Sequence, residues 1–432
     1  MGMCARVWGG LAFFLILLGL FSPAALAEAP PDPDQFTAEG IVLMDAKTGE
    51  ILYQKNATKQ FYPASITKIM TAILALESGR LDEEAVVSPE ARYVDGNRIY
   101  LGEGEKKPLL DLVYGMMLNS GNDAAVAIAE HLGGSVAGFA AMMNEKALEL
   151  GAHQTHFVNP HGLPDEEHVT TPLDMAHIAR YALQNPLFRE IVSTKTMPWH
   201  GAEWQSTLIN TNEMLWKYEG MTGIKTGYTR AAGQTFVGSA QRGETELIVV
   251  LLKAESRPRL WTEAAALLDY GFDHFETVKV HQRGDLIRHK KGGEEYVFQL
   301  EEDVYLTLEK GKAYQSQWKG EVVWPSGQLP LLKDLWTSDY VVIKNGQEAA
   351  RVPVRYQYTR SVYAQGAEKG LRNEGDKPAV KILSQPESKI KDTVTEPPSG
   401  GMGWLIALPL GILALLLFLL LLWRRKRRRN MK

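Results

Sequence analysis

A helix pattern and two reactive side chains coincide in one stretch of the sequence, Pro63-Ala64-Ser65-Ile66-Thr67-Lys68-Ile69-Met70-Thr71-Ala72. Its apolar spacing predicts a buried helix over Ala64 to Glu77. Ser65 and Lys68 lie one turn apart, so their side chains share a helix face near its positive end. Most serines at such a position are simply N-caps. A hydroxyl beside an amine in this setting also indicates a serine nucleophile with a lysine as its base.

A second polar motif, Ser120-Gly121-Asn122, separates two predicted helices, Leu109 to Leu118 and Ala124 to His131. The Ser120 hydroxyl both donates and accepts hydrogen bonds, which suits it to relay a proton to a leaving amine. The Asn122 amide is suited to hold a peptide carbonyl of a substrate. This polar break therefore predicts a second wall of a catalytic site.

The third motif, Lys225-Thr226-Gly227, precedes two predicted strands. Lys225 and Thr226 can bind a terminal carboxylate, while Gly227 lets an extended peptide approach the strand closely. A base at neutral pH must be neutral part of the time, and burial beside a cation such as Lys225 favours that form of Lys68.

Two of these three short motifs also occur elsewhere in the sequence. Ser-x-x-Lys recurs at Ser316 to Lys319 and at Ser388 to Lys391, in a predicted β-domain and a predicted tether. Lys-Thr-Gly recurs at Lys47 to Gly49, where a hairpin turn by itself explains the glycine. Only the set that begins with Ser65 has its three motifs in a consistent order and context.

The two ends of the chain predict targeting segments. Residues 1–27 join Arg6, an apolar run and a small-residue site, which is typical of a cleaved signal peptide. Cys4 leaves with that segment, so the exported chain has no disulfide, cysteine nucleophile or cysteine-ligated metal. Residues 404–423 carry no charge and are long enough for a hydrocarbon core of about 30 Å.

The distribution of charged residues predicts how the chain is oriented across the membrane. The tail 424–432 holds seven lysines and arginines directly after the apolar run, which predicts a cytoplasmic tail and a single-pass C-terminal anchor. Without Arg6 and those seven, 39 basic residues remain against 51 acidic ones, a net charge of −12. We therefore expect a cell-membrane protein with its catalytic part on the extracytoplasmic face and no nucleic-acid partner.

Between these ends the sequence divides into regions that differ in composition and in predicted secondary structure. Residues 38–275 mix strand and helix patterns and contain all three motifs, whereas 278–365 show short alternating strands typical of a small all-β domain. Residues 366–403 are rich in Gly, Pro, Ser, Lys and Glu, which predicts a flexible linker. Within the first region we expect residues 173–192 to be helical and a final helix over Trp261 to Tyr270.

With these motifs the chain is similar to the low-molecular-mass penicillin-binding proteins of the serine D-alanyl-D-alanine carboxypeptidase family. The similarity covers residues 38–275, and the β-domain that follows resembles the family's second domain. Four segments of this sequence carry it beyond the triplets: Tyr62 to Thr71, Ser120 to Ala125, Asn159 to Leu163 and Gly223 to Thr229.

The resemblance implies an α+β fold like that of serine β-lactamases, with an antiparallel sheet flanked by helices. It also implies a peptidase without a cofactor or metal, which removes the terminal D-alanine of peptidoglycan pentapeptides through an acyl-enzyme on Ser65 and so serves cell-wall biosynthesis. β-Lactams would inhibit it by acylating the same serine. By the family pattern, the backbone N–H groups of Ser65 and Tyr228 form the oxyanion hole, and Arg259 helps bind the substrate carboxylate.

The predicted C-terminal anchor departs from the family pattern. It is long and apolar enough to span the membrane, whereas members of the family often attach by an amphipathic helix lying on the membrane.

Several alternative functions also stay open. A D,D-endopeptidase or transpeptidase would differ only in leaving group or acyl acceptor, and a non-catalytic penicillin sensor would keep the same motifs. A β-lactamase is less favoured, because no Glu-x-x-Leu-Asn segment lies between Ser120 and Lys225.

Two other hydrolase classes lack their signatures. A zinc peptidase would have to use residues such as His153 and His156, but these lie in a predicted loop without a His-Glu-x-x-His pattern. A Ser-His-Asp hydrolase of the α/β type would need a Gly-x-Ser-x-Gly elbow, which the sequence does not contain.

Overall fold

The computed structural model describes residues 30–324 and 337–361 of the chain. Short 3-10 helices span Pro33–Gln35, Ala64–Thr67 and Tyr314–Ser316. The α-helices are α1 (Lys68–Glu77), α2 (Pro89–Tyr93), α3 (Leu109–Leu118), α4 (Asn122–Gly133), α5 (Val136–Glu149), α6 (Pro172–Ala182), α7 (Pro186–Ser193), α8 (Met214–Lys217) and α9 (Arg257–His274). The strands are β1 (Gly40–Asp45), β2 (Ile51–Lys55), β3 (Glu84–Val86), β4 (Lys106–Pro108), β5 (Thr196–His200), β6 (Gln205–Ile209), β7 (Met221–Thr229), β8 (Gly233–Arg242), β9 (Thr245–Ala254), β10 (Phe275–His281), β11 (Leu286–Lys291), β12 (Glu294–Leu300), β13 (Val304–Glu309), β14 (Trp318–Val322), β15 (Thr337–Lys344) and β16 (Gln347–Ser361).

A five-stranded sheet in the order β2-β1-β9-β8-β7 forms the centre of the first domain. All its pairs are antiparallel, with Val42 opposite Val250 and Lys225 opposite Val237. The sheet therefore joins the first hairpin of the chain to strands that come some 200 residues later. β7, which carries the Lys-Thr-Gly motif, is an edge strand of this sheet.

Both faces of the central sheet are covered by helices, as the long apolar runs of its inner strands require. Ile41 and Leu43 pack in one core with α9, while Val42 and Met44 pack in the other with the apolar faces of α1, α3 and α4. The α+β architecture inferred from the sequence is thus confirmed for this part of the chain.

Three predicted helices differ from the structure. The segment Ala64 to Glu77 begins with a 3-10 turn, and α1 starts only at Lys68. The helical segment expected over 173–192 is divided into two helices, α6 and α7. Asn185 caps the second one and Pro186 occupies its first position, which is where proline fits a helix best. The last helix of the domain starts earlier than expected, after Ser256, whose side chain caps it.

The second part of the chain consists of strands, apart from one 3-10 turn, within the described residues. Its main sheet has the order β11-β12-β16-β15-β14, and β10 pairs with β13. A separate core of apolar residues, with Phe298, Val342 and Val354 at its centre, holds these strands together. β10 follows α9 without any intervening linker, and the two parts form one compact unit.

Several predictions concern residues outside the described ranges. They are the signal peptide over 1–27, the linker over 366–403, the membrane span over 404–423 and the basic tail over 424–432. In the described ranges, no single helix has both the length and the apolar character needed to cross a bilayer. One sharply bent pair, α4 with α5, meets the same criteria only when the two are taken together.

Candidate active site

One cavity of about 270 Å³ brings residues from all three motifs together. Its walls come from the 3-10 turn before α1, the start of α4, the loop after Asn159 and the exposed edge of β7. The motif residues that line it are Ser65, Ser120, Asn122, Thr226, Gly227 and Tyr228.

Close backbone contacts hold the turn that carries Ser65. A Cβ on Gly227 would lie 2.7 Å from the Ser65 nitrogen, and one on Gly162 would lie 1.8 Å from the Ala64 oxygen. Ala64 has a φ of 52°, a left-handed conformation that is uncommon for a residue with a Cβ. Glycine at 162 and 227 is therefore required by packing, and the turn is fixed between the loop and β7.

Lys68 is fully buried directly behind the serine. Its Nζ lies 3.0 Å from Ser65 Oγ, 2.7 Å from Asn122 Oδ1 and 2.8 Å from the main-chain oxygen of His161. Burial lowers the pKa of Lys68 well below its usual value, and the nearby charge of Lys225 lowers it further. The amine is therefore placed and tuned to take the proton of the serine hydroxyl. Ser65 lies outside α1 and does not act as its N-cap.

Lys225 is the second lysine buried at the site, with 1% of its surface exposed. Its Nζ donates to the main-chain oxygen of Thr226 at 3.0 Å. Burial lowers the pKa of Lys225 to about 7, because the charged ammonium loses its hydration there. At neutral pH this lysine is thus poised between its charged and neutral forms.

The Asn122 side chain is held on both of its polar atoms. Oδ1 accepts from Lys68, while Nδ2 donates to the main-chain oxygen of Asp95 at 2.6 Å. A Cβ on Gly96 would approach the same Nδ2 to 2.6 Å, so the loop needs glycine at this point. The amide that we expected to hold a substrate carbonyl is therefore already largely engaged by the protein.

Asp123 is a residue to which the sequence reasoning gave no role. Its fully buried carboxylate accepts from the backbone N–H groups of Ile99, Leu101 and Ala124, at 3.0 to 3.2 Å. Burial raises the pKa of Asp123, and these hydrogen bonds work in the opposite direction. The carboxylate ties the 95–101 loop to the start of α4, where an acidic residue also suits the helix dipole. Its place directly before the predicted helix Ala124 to His131, where an acidic residue favours a helix start, was the available signal.

The prediction for Arg259 does not agree with the structure. Its guanidinium points away from the cavity, 3.2 Å from the buried carboxylate of Glu263, and donates to the main-chain oxygen of Gln35. Arg257 lines the cavity instead and donates to the main-chain oxygen of Thr211 at 2.9 Å. Residues two apart on a helix face nearly opposite sides, so only one of the two arginines can point into the site.

The arginine in the cavity lies beside a pair of hydroxyl groups. Thr211 Oγ1 and Thr226 Oγ1 are 2.8 Å apart, and both residues line the cavity with Arg257. A planar guanidinium together with neutral donors is a suitable receptor for a carboxylate. Tyr228, also on β7, has 62% of its surface exposed at the rim.

The loop that follows α5 contains the histidines considered as possible zinc ligands. His156 Nδ1 lies 2.9 Å from the main-chain oxygen of Glu167, and the loop forms a bridge at Val169. In residues 30–324 and 337–361, no group of three or more His, Cys, Asp or Glu side chains is placed to hold a metal ion. His156 thus takes part in the hydrogen bonding of the loop itself.

Comparison with known proteins identifies the family of this chain. The family model described as D-alanyl-D-alanine carboxypeptidase matches residues 25–256, which is more than half of the chain. The chain belongs to this family. The match includes Ser65, Ser120 and Lys225, while Arg257 lies just beyond it.

Members of the family resemble the chain over most of its length. D-alanyl-D-alanine carboxypeptidase DacF of Bacillus subtilis (strain 168) is 31% identical over 78% of this chain and 90% of its own length. D-alanyl-D-alanine carboxypeptidase DacD of Escherichia coli (strain K12) is 33% identical over 76% of this chain and 84% of its own. The solved structure of penicillin binding protein 5 from Haemophilus influenzae superposes with a TM-score of 0.65 and 30% identity, covering 76% of this chain and 98% of that one.

Proposed function

We propose that this protein is a serine D-alanyl-D-alanine carboxypeptidase that acts on the stem pentapeptides of peptidoglycan through an acyl-enzyme on Ser65. One observation carries the proposal. The Ser65 hydroxyl lies 3.0 Å from a buried amine of lowered pKa, in a cavity that also holds Ser120, Thr226 and Arg257. The names of the similar proteins support the same activity.

Acylation starts with neutral Lys68. Its Nζ takes the proton from Ser65 Oγ as that oxygen attacks the carbonyl carbon of the penultimate D-alanine. The negative charge that develops on the carbonyl oxygen is received by the backbone N–H groups of Ser65 and Tyr228. The close approach of Gly227 to the Ser65 nitrogen brings the two donating segments together.

The leaving group then departs as free D-alanine. Ser120, on the cavity wall, gives its hydroxyl proton to the leaving nitrogen and takes the proton held by Lys68, as the peptide C–N bond breaks and the acyl group stays as an ester on Ser65. In the second half-reaction a water attacks the ester carbonyl, and its proton returns through Lys68 to the Ser65 oxygen. The shortened peptide leaves with a new carboxylate, and the enzyme is restored.

The terminal carboxylate of the substrate binds at Arg257, Thr211 and Thr226, with the charge of Lys225 behind them. The peptide lies along the outer edge of β7, which has no strand partner on that side of the described sheet. β-Lactams enter the same site and acylate Ser65, because their strained amide occupies the position of the scissile carbonyl.

The proposal also covers location. A cleaved signal segment over 1–27 and an apolar run over 404–423 would hold the catalytic domain outside the membrane, with the tail 424–432 in the cytoplasm. Protease added outside intact cells should then leave only a C-terminal fragment protected. Protection of the whole chain would contradict this orientation.

The activity itself is tested with a diacyl-L-Lys-D-Ala-D-Ala peptide and the full-length protein in detergent. We expect release of free D-alanine and its loss in Ser65→Ala. Ser316→Ala, which alters the serine of another Ser-x-x-Lys copy, is the matched control and should stay active. Activity that survives in Ser65→Ala would refute the mechanism.

The reaction with penicillin, together with the fate of the acyl group, distinguishes a carboxypeptidase from the related activities. Mass spectrometry should show a long-lived adduct on Ser65, whereas rapid hydrolysis of penicillin without an adduct would identify a β-lactamase. An added amino acceptor that captures most of the acyl group would identify a transpeptidase. The same adduct without any D-alanine release would identify a penicillin sensor.

A further inference from the structure

His161 is a buried titratable residue that lines the catalytic cavity but has no part in the reaction described above. Only 7% of its surface is exposed. Its main-chain oxygen accepts from Lys68, so the residue lies directly beside the catalytic amine. Its imidazole ring is a separate feature, because the contact to Lys68 uses only the backbone.

Hydrogen bonding defines which nitrogen of the ring carries the proton. The Leu163 N–H donates to His161 Nδ1 at 3.1 Å, so Nδ1 is an acceptor. Burial and the nearby charge of Lys68 lower the pKa of His161 to about 3, so the ring stays neutral at physiological pH. A neutral ring whose Nδ1 accepts must carry its proton on Nε2. Among the described residues, no group accepts a hydrogen bond from that Nε2–H.

The turn around His161 is held firmly. Asn159 Oδ1 accepts from the backbone N–H groups of His161 and Gly162, and Asn159 Nδ2 donates to the main-chain oxygen of Leu163 at 3.0 Å. Thr71 Oγ1 donates to the Pro160 oxygen at 2.6 Å. The ring therefore presents its remaining donor from a fixed position, which costs little entropy on binding.

The hydrogen-bonding capacity of Asn122, on the same cavity wall, is already partly used. The Asn122 amide, the obvious candidate to hold a substrate carbonyl, has Oδ1 bonded to Lys68 and Nδ2 bonded to Asp95. At most one N–H of that amide is left for a ligand. His161 and Asn122 line the same cavity, and both contact Lys68 Nζ, Asn122 through its side chain and His161 through its backbone.

We propose that His161 Nε2–H is a substrate-binding donor, which holds the carbonyl oxygen of the residue preceding the two D-alanines. This assignment rests on the proposed function and adds a residue to its site. The bond acts on the part of the substrate that stays on Ser65 after D-alanine leaves. It positions the acyl group in both half-reactions, and it stays available over the whole working pH range because the ring does not titrate there.

Two substitutions separate this role from a purely structural one. His161→Asn keeps an oxygen near the position of Nδ1, which can still accept from Leu163 N–H, but removes the donor at Nε2. His161→Gln places an N–H near Nε2 and loses the acceptor for Leu163. We expect kcat/KM for the peptide to fall about tenfold in His161→Asn, the usual cost of one hydrogen bond between neutral groups, and to stay within about threefold in His161→Gln.

A modified substrate makes the test specific to one carbonyl. In a reduced-amide peptide, a CH2 group replaces the carbonyl of the residue before the two D-alanines. The wild-type enzyme should lose about tenfold in kcat/KM on this peptide, whereas His161→Asn, which has no donor to lose, should show little further loss. Equal losses in both proteins would overturn the assignment.

The reverse pattern of the two variants would also overturn it. If His161→Asn is as active as the wild type and His161→Gln is impaired, the ring serves only to hold the turn at Leu163. Failure of the proposed function would look different, since the wild-type enzyme would then release no D-alanine at all. Melting temperatures of both variants, measured beside the kinetics, show whether any loss comes from unfolding.

Discussion

Two lysines with almost no contact with water lie at the catalytic serine, and each owes its chemistry to that burial. An ordinary lysine is charged at neutral pH and cannot accept a proton. Removal from water lowers the pKa of Lys68 and Lys225, and the charge of Lys225 lowers the pKa of Lys68 further. The sequence placed both residues in motifs, but only the packing around them shows that their pKa values are lowered.

The burial of Lys225 should cost stability in a pH-dependent way. Its pKa is about 7 in the folded protein and near 10.5 when unfolded, so the unfolded chain binds more protons between these values. Stability therefore rises as pH increases from about 7 to about 10. Lys225→Met should be more stable than the wild type by roughly a few kcal/mol below pH 7, and this gain should shrink at higher pH, while activity is lost.

Urea unfolding at pH 6, 8 and 10 measures this difference. Lys312→Met, which removes a lysine whose side chain is 55% exposed, is the control and should show no such trend. A stability difference for Lys225→Met that does not vary with pH would contradict the lowered pKa of this residue.

Arg257 and Arg259 give a second prediction at the residue level, because only the first lines the cavity. Arg257→Ala should raise KM for the peptide and lower kcat/KM by about tenfold to a hundredfold, as expected for the loss of a charged hydrogen bond. Arg259→Ala should leave the kinetics nearly unchanged and reduce stability, since it leaves Glu263 with fewer partners. Steady-state kinetics on both variants test this, and equal effects would refute the distinction.

Among the elements, the 3-10 turn over Ala64–Thr67 differs from the plain α-helix that the sequence predicts there. Regular helix at this point would still place Ser65 and Lys68 on one face. The observed turn is held by the loop at Gly162 and by β7 at Gly227, which no local sequence pattern reports. The nucleophile is thus positioned by long-range packing more than by helix propensity.

Gly162→Ala should disrupt that packing. Its Cβ would lie 1.8 Å from the Ala64 oxygen, and its φ of +88° is already unfavourable for alanine. We expect penicillin to acylate Ser65 at least tenfold more slowly, because the turn must move. Gly134→Ala is the matched control: it has a φ of +72° with no atom within 4 Å, so it should cost about 1–2 kcal/mol of stability and leave acylation unchanged. Equal acylation rates in the two variants would show that the contact is unimportant.

At the level of the whole molecule, a buried polar junction joins the two parts of the described chain. Asp45, at the end of β1, accepts from the hydroxyl groups of Thr277 and Thr307 at 2.6 and 2.9 Å. Lys344 of β15 is paired with Glu50 at 2.7 Å and also donates to the Thr307 oxygen. The upstream Lys-Thr-Gly copy lies in this junction, and Thr48 Oγ1 is 2.6 Å from Thr307 Oγ1.

Breaking the ion pair of this junction should loosen the β-domain without affecting chemistry. Lys344 has only 5% of its side chain exposed, so Lys344→Met should cost roughly 1–3 kcal/mol of stability and make the region around Phe275 easier to cleave by limited proteolysis. D-alanine release from a soluble peptide should not change. The surface variant Lys312→Met should match the wild type in both measurements. Lost activity in Lys344→Met would show that the junction supports the active site.

Much of the fold and of the active site could be predicted from the sequence, because the sequence patterns that indicate them are local. Apolar spacing gave the central helices, turn residues gave the first hairpin, and three ordered motifs gave the family and the nucleophile. The break between α6 and α7 was missed, although Asn185 and Pro186 are a clear cap and start signal. The hairpin of β5 and β6 was missed as well; only Trp199 and Leu208 are buried within its two strands, which therefore show little apolar patterning.

The remaining features depended on contacts between residues far apart in the chain. Whether Arg257 or Arg259 enters the site is set by the rotation of α9 against the sheet. The engagement of Asn122 by Asp95, the anchoring role of Asp123 and the free donor of His161 arise where separate loops meet. The sequence by itself determined the chemistry that this protein carries, because reactive residue types stand in recognisable local patterns. Only the tertiary structure decided their geometry and their pKa values, because distance and burial depend on how the whole chain packs.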